Sequence, residues 1–180
     1  MKYVRLIASA DQNIRKNAII NSLAGIGVPY FIQEFEDASN IVVSQNPSSR
    51  RLVIGAHWDS VENSTGANDN AAGCSALLHV IEKLAGKTKK SIDFVFFDKE
   101  ESGNIGSKRY IEAVGKENIA AMVNLDLCGY GDNIAVYEKG NRGNEKFFGL
   151  IRRSARPARR LAAFPSTKWR RPGIRAKRHT

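Results

Sequence analysis

The chain reads as an α/β domain built around a mainly parallel sheet. Three observations predict this fold class. Short, continuously apolar runs match strands buried on both faces. Stretches with helical spacing alternate with those runs, and polar residues gather where each run stops.

The first helix is expected over residues 11–23, where Ile14, Ala18, Ile19 and Leu23 recur at helical spacing. Asp11 is placed to cap it, and Gly25-Ile26-Gly27 to end it. Two strand-like runs follow at 29–35 and 40–44. Leu52-Val53-Ile54-Gly55-Ala56 is a strand without a polar face. Residues 67–84 read as one helix, with Ala72, Ala76, Leu77, Val80, Ile81 and Leu84 near one side. A second buried strand is expected at 92–97, a helix at 105–114, a third strand at 121–127 and a fourth at 134–137.

Composition excludes several classes. With 180 residues, 42% hydrophobic and 26% charged, the chain can bury a core, unlike a disordered protein, a collagen or a membrane bundle. No apolar stretch approaches the roughly 18 residues that a membrane span needs. The opening MKYVRLIASADQN has too short an apolar stub for a secretory signal, which predicts a cytoplasmic location. Cys74 and Cys128 both flank apolar runs and are expected as buried thiols rather than a disulfide framework.

The formal charge of +10 is unevenly placed. Of 28 basic residues, 11 lie from Arg152 onward with no acid among them, leaving 17 against 18 acids and a net of −1 before that point. The body of the fold therefore carries no electrostatic signature of a nucleic-acid partner. From residue 152 the helical and strand periods dissolve, and three of the five prolines fall there. The expected organisation is a domain over 1–151 and a basic Arg/Pro-rich tail over 152–180 that is not part of the fold.

Chemistry-bearing residues cluster where the apolar runs stop: His57-Trp58-Asp59, Asp98-Lys99-Glu100-Glu101 and Asn124-Leu125-Asp126. Ligands of open α/β sheets bind beyond the carboxyl ends of the strands, so these groups can meet in one crevice. Asp69 stands at the mouth of the helix expected at 67–84. One histidine with several carboxylates suits Zn²⁺, with Mn²⁺ or Co²⁺ as alternatives. Each residue also has a plainer reading. His57 alone is a surface histidine, Asp69 a helix cap, and Glu100 and Glu101 solvated acids. Asp59, two residues after His57, shifts the balance, because a carboxylate commonly orients a ligating imidazole. Asp126, placed within an apolar strand, would be costly to bury without a partner.

The motifs GAHWDS, GANDNAAG, FVFFDKEESGNIGS and NLDLCGYGD, in that order, resemble the co-catalytic zinc exopeptidases of metallopeptidase family twenty-eight. That family includes bacterial leucyl aminopeptidases, glutamate carboxypeptidases and glutaminyl cyclases. The resemblance covers about residues 40–137. It implies a three-layer α/β/α sandwich with a mixed, mainly parallel sheet. It also implies hydrolysis of N-terminal peptide bonds in a peptide substrate, with two zinc ions. His57 and Asp126 are then ligands of the first zinc, Asp69 bridges both, and Glu101 is a ligand of the second. Asp59 orients His57, and Glu100 is the general base that takes a proton from the attacking water.

One ligand of the pattern is missing. The family supplies a further histidine from a later loop, whereas this chain has only His79, mid-helix, and His179, in the tail, besides His57. The second zinc site is therefore incomplete, and a truncated or frame-shifted product is expected. An inactive metal-binding remnant or interaction module is the alternative function. A cyclase-like acyl transferase with one zinc is a third, and a basic arm for nucleic acid or anionic membrane is the rival reading of the tail.

Overall fold

The computed structural model describes residues 2–48, 50–130, 134–137, 149–150 and 161–164. The chain divides into two units, Met1–Tyr130 and Gly131–Thr180.

In the first unit, α1 (Val4–Ile7) and α2 (Gln12–Ile26) precede β1 (Phe31–Glu34), β2 (Ser39–Gln45) and β3 (Arg51–His57). Then come α3 (Ala72–Leu84), β4 (Ile92–Phe97), α4 (Ile105–Val114) and β5 (Ile119–Asn124). The Asp11 carboxylate accepts the amides of Asn13 and Ile14, and Gly27 closes α2 at φ 78°, a left-handed conformation that glycine adopts without a Cβ penalty. The strands form one sheet in the order β1-β2-β4-β3-β5. The sheet is mixed, because β3, β4 and β5 run parallel while β1 and β2 add antiparallel.

Both faces are covered, which explains the absence of a polar period in β4. Phe94 and Phe96 pack with Ile41, Val43 and Ala56 against Ile19 and Leu23 of α2 and Leu77, Leu78 and Ile81 of α3. Val95 and Phe97 pack on the opposite face with Val42, Val53 and Tyr110 of α4. This is the expected three-layer α/β/α arrangement. Each such large apolar side chain contributes about 1.5–3 kcal/mol by leaving water. The one charge within β4, Asp93, is buried but satisfied by Ser44 Oγ (2.6 Å), Arg51 Nη1 (2.9 Å) and Tyr110 OH (2.5 Å).

The structure differs from expectation in one helix face and two boundaries that bear on the site. The inward stripe of α2 is Arg15, Ile19 and Leu23, while Ile14 is 53% exposed. The helix expected at 67–84 begins at Ala72. Before it, Ala67–Ala71 forms a wide turn in which Asp69 (φ −114°, ψ 87°) and Asn70 (φ −137°, ψ 39°) leave helical geometry and the Asp69–Asn70 peptide is cis. The third strand ends at Asn124, so Asp126 lies beyond it and is exposed. Burial therefore does not by itself require a partner for Asp126.

In the second unit, β6 (Ile134–Tyr137) pairs in parallel with β7 (Leu161–Phe164). β6 is the expected fourth strand, and β7 falls in the segment where no period is legible. The expected boundary at 151 and most of the tail lie outside the described residues. Among the described residues, no helix is long and apolar enough to cross a membrane.

Candidate metal centre

Parallel pairing brings the ends of three strands to one edge. His57 stands opposite Phe97, and Gly55 opposite Asn124. The Trp58 amide donates to the Phe97 carbonyl and the Leu125 amide to the Gly55 carbonyl, both at 2.8 Å, which carries the alignment past the strands themselves. His57, Glu100, Glu101 and Asp126 therefore emerge along a single rim, and the wide turn at Ala67–Ala71 adds Asp69.

His57 is the centre of the cluster. It is 2% exposed. Its Nε2 lies 3.0 Å from Asp69 Oδ1 and 3.5 Å from Asp126 Oδ1. His57, Asp69 and Asp126 present ligand atoms all within 4.8 Å of one another, and so do His57, Glu100 and Glu101. Ligand atoms about 2.0–2.1 Å from a tetrahedral zinc stand roughly 3.3 Å apart. The separations at Nε2 straddle that value, so the donor set fits a small divalent cation.

The other face of the imidazole meets Asp59. Its Nδ1 lies 3.3 Å from Asp59 Oδ1 and 3.2 Å from the Asp59 carbonyl. The same carboxylate accepts the backbone amides of Glu100 (3.0 Å) and Glu101 (3.1 Å). Asp59 is 6% exposed, and these donors offset the cost of burying its charge.

Electrostatics follow from crowding. Burial alone pulls the His57 imidazolium down, but the carboxylates of Asp126 and Asp59 overcome it and its pKa is pushed up to about 10. Burial, reinforced by neighbouring acids, pushes the carboxyls of Glu100 and Glu101 above their usual range. The cluster is rich in negative charge, the condition in which a cation binds best.

The wide turn is tied to the segment after β5 by two asparagines. Asn70 is fully buried, donates to the Leu125 carbonyl (2.9 Å) and accepts the Gly73 amide (3.0 Å). Asn68 accepts the Gly129 amide (2.8 Å). A Cβ at Gly73 would overlap the Asn70 side chain and the Leu125 carbonyl, so this approach requires glycine. Neither asparagine carries a signal of this role in the sequence beyond flanking Asp69 within GANDNAAG.

All of the expected site residues converge: His57, Asp59, Asp69, Glu100, Glu101 and Asp126. His79 does not join them, and its Nδ1 pairs with the Ser75 carbonyl at 2.7 Å. Cys74 is buried as expected, with Sγ donating to the His57 carbonyl (3.1 Å), whereas Cys128 is exposed.

The chain is similar to several known proteins. A probable leucine aminopeptidase of Arthroderma benhamiae is 25% identical over 150 residues, covering 74% of this chain and 42% of its own length. A probable lipoprotein aminopeptidase of Mycobacterium tuberculosis is 34% identical over 101 residues, covering 53% of this chain and 20% of that protein. The chain thus spans less than half the length of either. Among solved structures, a Zn-dependent exopeptidase from Parabacteroides distasonis superposes with a TM-score of 0.70 at 20% identity, covering 90% of this chain and 74% of that one. A glutaminyl cyclase of Porphyromonas gingivalis gives 0.69 at 21% identity, covering 91% and 74%. These two likenesses establish the fold. The sequence profile of peptidase family M28 matches residues 40–170, which take in every side chain of the cluster around His57, and the chain belongs to that family.

Proposed function

We propose that the site is a zinc centre for hydrolysis of N-terminal peptide bonds, an aminopeptidase-type reaction. The observation that carries this reading is the meeting of His57 Nε2 with Asp69 and Asp126 at ligand spacing, beside two glutamates. His57, Asp69 and Asp126 hold the ion. Glu101 and Asp69 supply carboxylates to a second one. Bound zinc contributes Lewis acidity, polarising a peptide carbonyl and making water a nucleophile near neutral pH.

The chain's own residues do the rest. Asp59 keeps the proton on His57 Nδ1, which leaves the Nε2 lone pair free for the ion. Glu100 accepts a proton from the attacking water and passes it to the leaving amine, and its raised carboxyl brings it closer to the operating pH. The likeness to a probable leucine aminopeptidase supports the N-terminal bond of a peptide as the one cleaved.

A second reading, a metal-binding remnant without turnover, is favoured by one observation. Among the described residues no second imidazole joins the cluster, so both carboxylate groups share His57. Zinc titration of the purified chain and an aminoacyl-anilide assay separate the two readings. An enzyme binds zinc through His57, loses binding in His57→Ala, and shows chelator-sensitive turnover that Glu100→Ala abolishes while zinc content stays. Zinc bound without turnover selects the remnant. No zinc bound overturns both.

A further inference from the structure

We propose that Arg15, with Gln12 one turn before it, is a positioning residue of the metal centre, acting through the loop that carries Asp59. The inference rests on the zinc-site reading above.

Arg15 lies on the inward face of α2 and is fully buried. Its guanidinium is spent on backbone carbonyls of one segment. Nε donates to Trp58 (2.7 Å), Nη1 to Thr65 (2.7 Å) and Nη2 to Asp59 (3.3 Å), while Nη1 also reaches Ser9 at 3.4 Å. Gln12 Nε2 donates to the Ser60 carbonyl at 3.0 Å and to Ser60 Oγ at 3.2 Å. Residues 58–60 and 65 are thereby gripped from behind by two side chains three positions apart on one helix face.

The grip extends to the next ligand. Gly66, at φ 52°, opens the turn that delivers Asp69, and a Cβ there would sit 2.8 Å from Arg15 Nη1. Arg15 therefore backs both the Asp59 loop and the Asp69 turn. Among the described residues no carboxylate lies within ion-pair distance of it. Burial holds its pKa below the ordinary arginine value, and Asp59, Asp69 and Glu101 offset part of that cost at longer range. A neutral donor could satisfy carbonyls alone. A fixed cation behind a ring of acids also limits their mutual repulsion before a metal arrives.

The test uses the whole chain as wild type, Arg15→Lys, Gln12→Ala and Tyr110→Phe. Zinc affinity is read by competition with a chromophoric chelator, and the Co²⁺ form by its visible spectrum, with the folded fraction taken from thermal unfolding. Tyr110 supports Asp93 on the opposite face, so Tyr110→Phe lowers stability but leaves zinc affinity and the Co²⁺ spectrum unchanged. Arg15→Lys keeps the charge and loses the fork, and weakens zinc binding by the folded protein about tenfold, at the low end for supports of a metal ligand. Gln12→Ala shifts it in the same direction by less, with a changed Co²⁺ spectrum. If Arg15→Lys does not fold, Gln12→Ala decides alone. Zinc affinities and spectra equal to wild type in the folded variants overturn the proposal and leave the zinc site standing. A wild type that binds no zinc overturns the zinc site itself, and the positioning role with it.

Discussion

Asp59 Oδ1 accepts the Glu100 amide at 3.0 Å, and the same oxygen stands 3.3 Å from His57 Nδ1. One carboxylate thus sets the segment after β3 against the segment after β4. Asp59→Asn preserves shape but replaces one acceptor oxygen with an NH2 group facing N–H donors. The expected outcome is a loss of about 1–3 kcal/mol in chemical denaturation. Zinc affinity should fall about 10–100-fold in the same variant, and affinity equal to wild type would contradict the orienting role.

The proposed function gives the proton transfer to Glu100. Glu100→Gln is isosteric and cannot accept the proton, so kcat should drop about 10²–10⁴-fold. Zinc content, measured by elemental analysis, should stay near the wild-type value. A parallel loss of metal would make Glu100 a ligand instead.

Gly73 packs directly beneath Asn70 and Leu125. Gly73→Ala should cost about 1–3 kcal/mol, as overpacking does elsewhere. Urea unfolding checks this, and a variant as stable as wild type would show that the contact yields freely.

The two thiols should differ sharply. Burial pushes Cys74 up to about 12, so its reactive thiolate forms only in strong alkali, whereas Cys128 is exposed. Native protein at pH 8 should therefore titrate a single thiol with an aromatic disulfide reagent, and the second only after unfolding. Rapid labelling of Cys74 in the folded chain would refute the burial.

Much of this architecture is legible in the sequence, and the gaps have physical causes. β3 and β4 are plain because strands covered on both faces have no polar period to obscure them. The site residues are plain because four acids and an imidazole at strand ends have few other reasons to be there. The wide turn at Asp69 is hidden, because the apolar period of α3 continues backward through Ala71 and Ala67. α1, with four residues, is too short to show a period. Arg15 is hidden for another reason: its two shortest bonds go to carbonyls 43 and 50 positions away, which leave no local mark. Spacing alone puts Ile14 on the inward face, whereas Arg15 turns inward and donates to the carbonyls of Trp58, Asp59 and Thr65. Of the two aromatics nearest the site in sequence, Trp58 packs in the core, whereas Tyr130 is 89% exposed.

The asparagine ties at positions 68 and 70 carry a consequence for how an ion enters and leaves. They lock the carriers of Asp69 and Asp126 together through neutral amide bonds that owe nothing to any cation. The cradle is therefore ready-made, and little chain ordering must accompany capture. On the zinc-centre reading, such a socket would be emptied and refilled without melting its surroundings, and exchange between zinc, cobalt and manganese would be a matter of supply and coordination chemistry rather than of refolding.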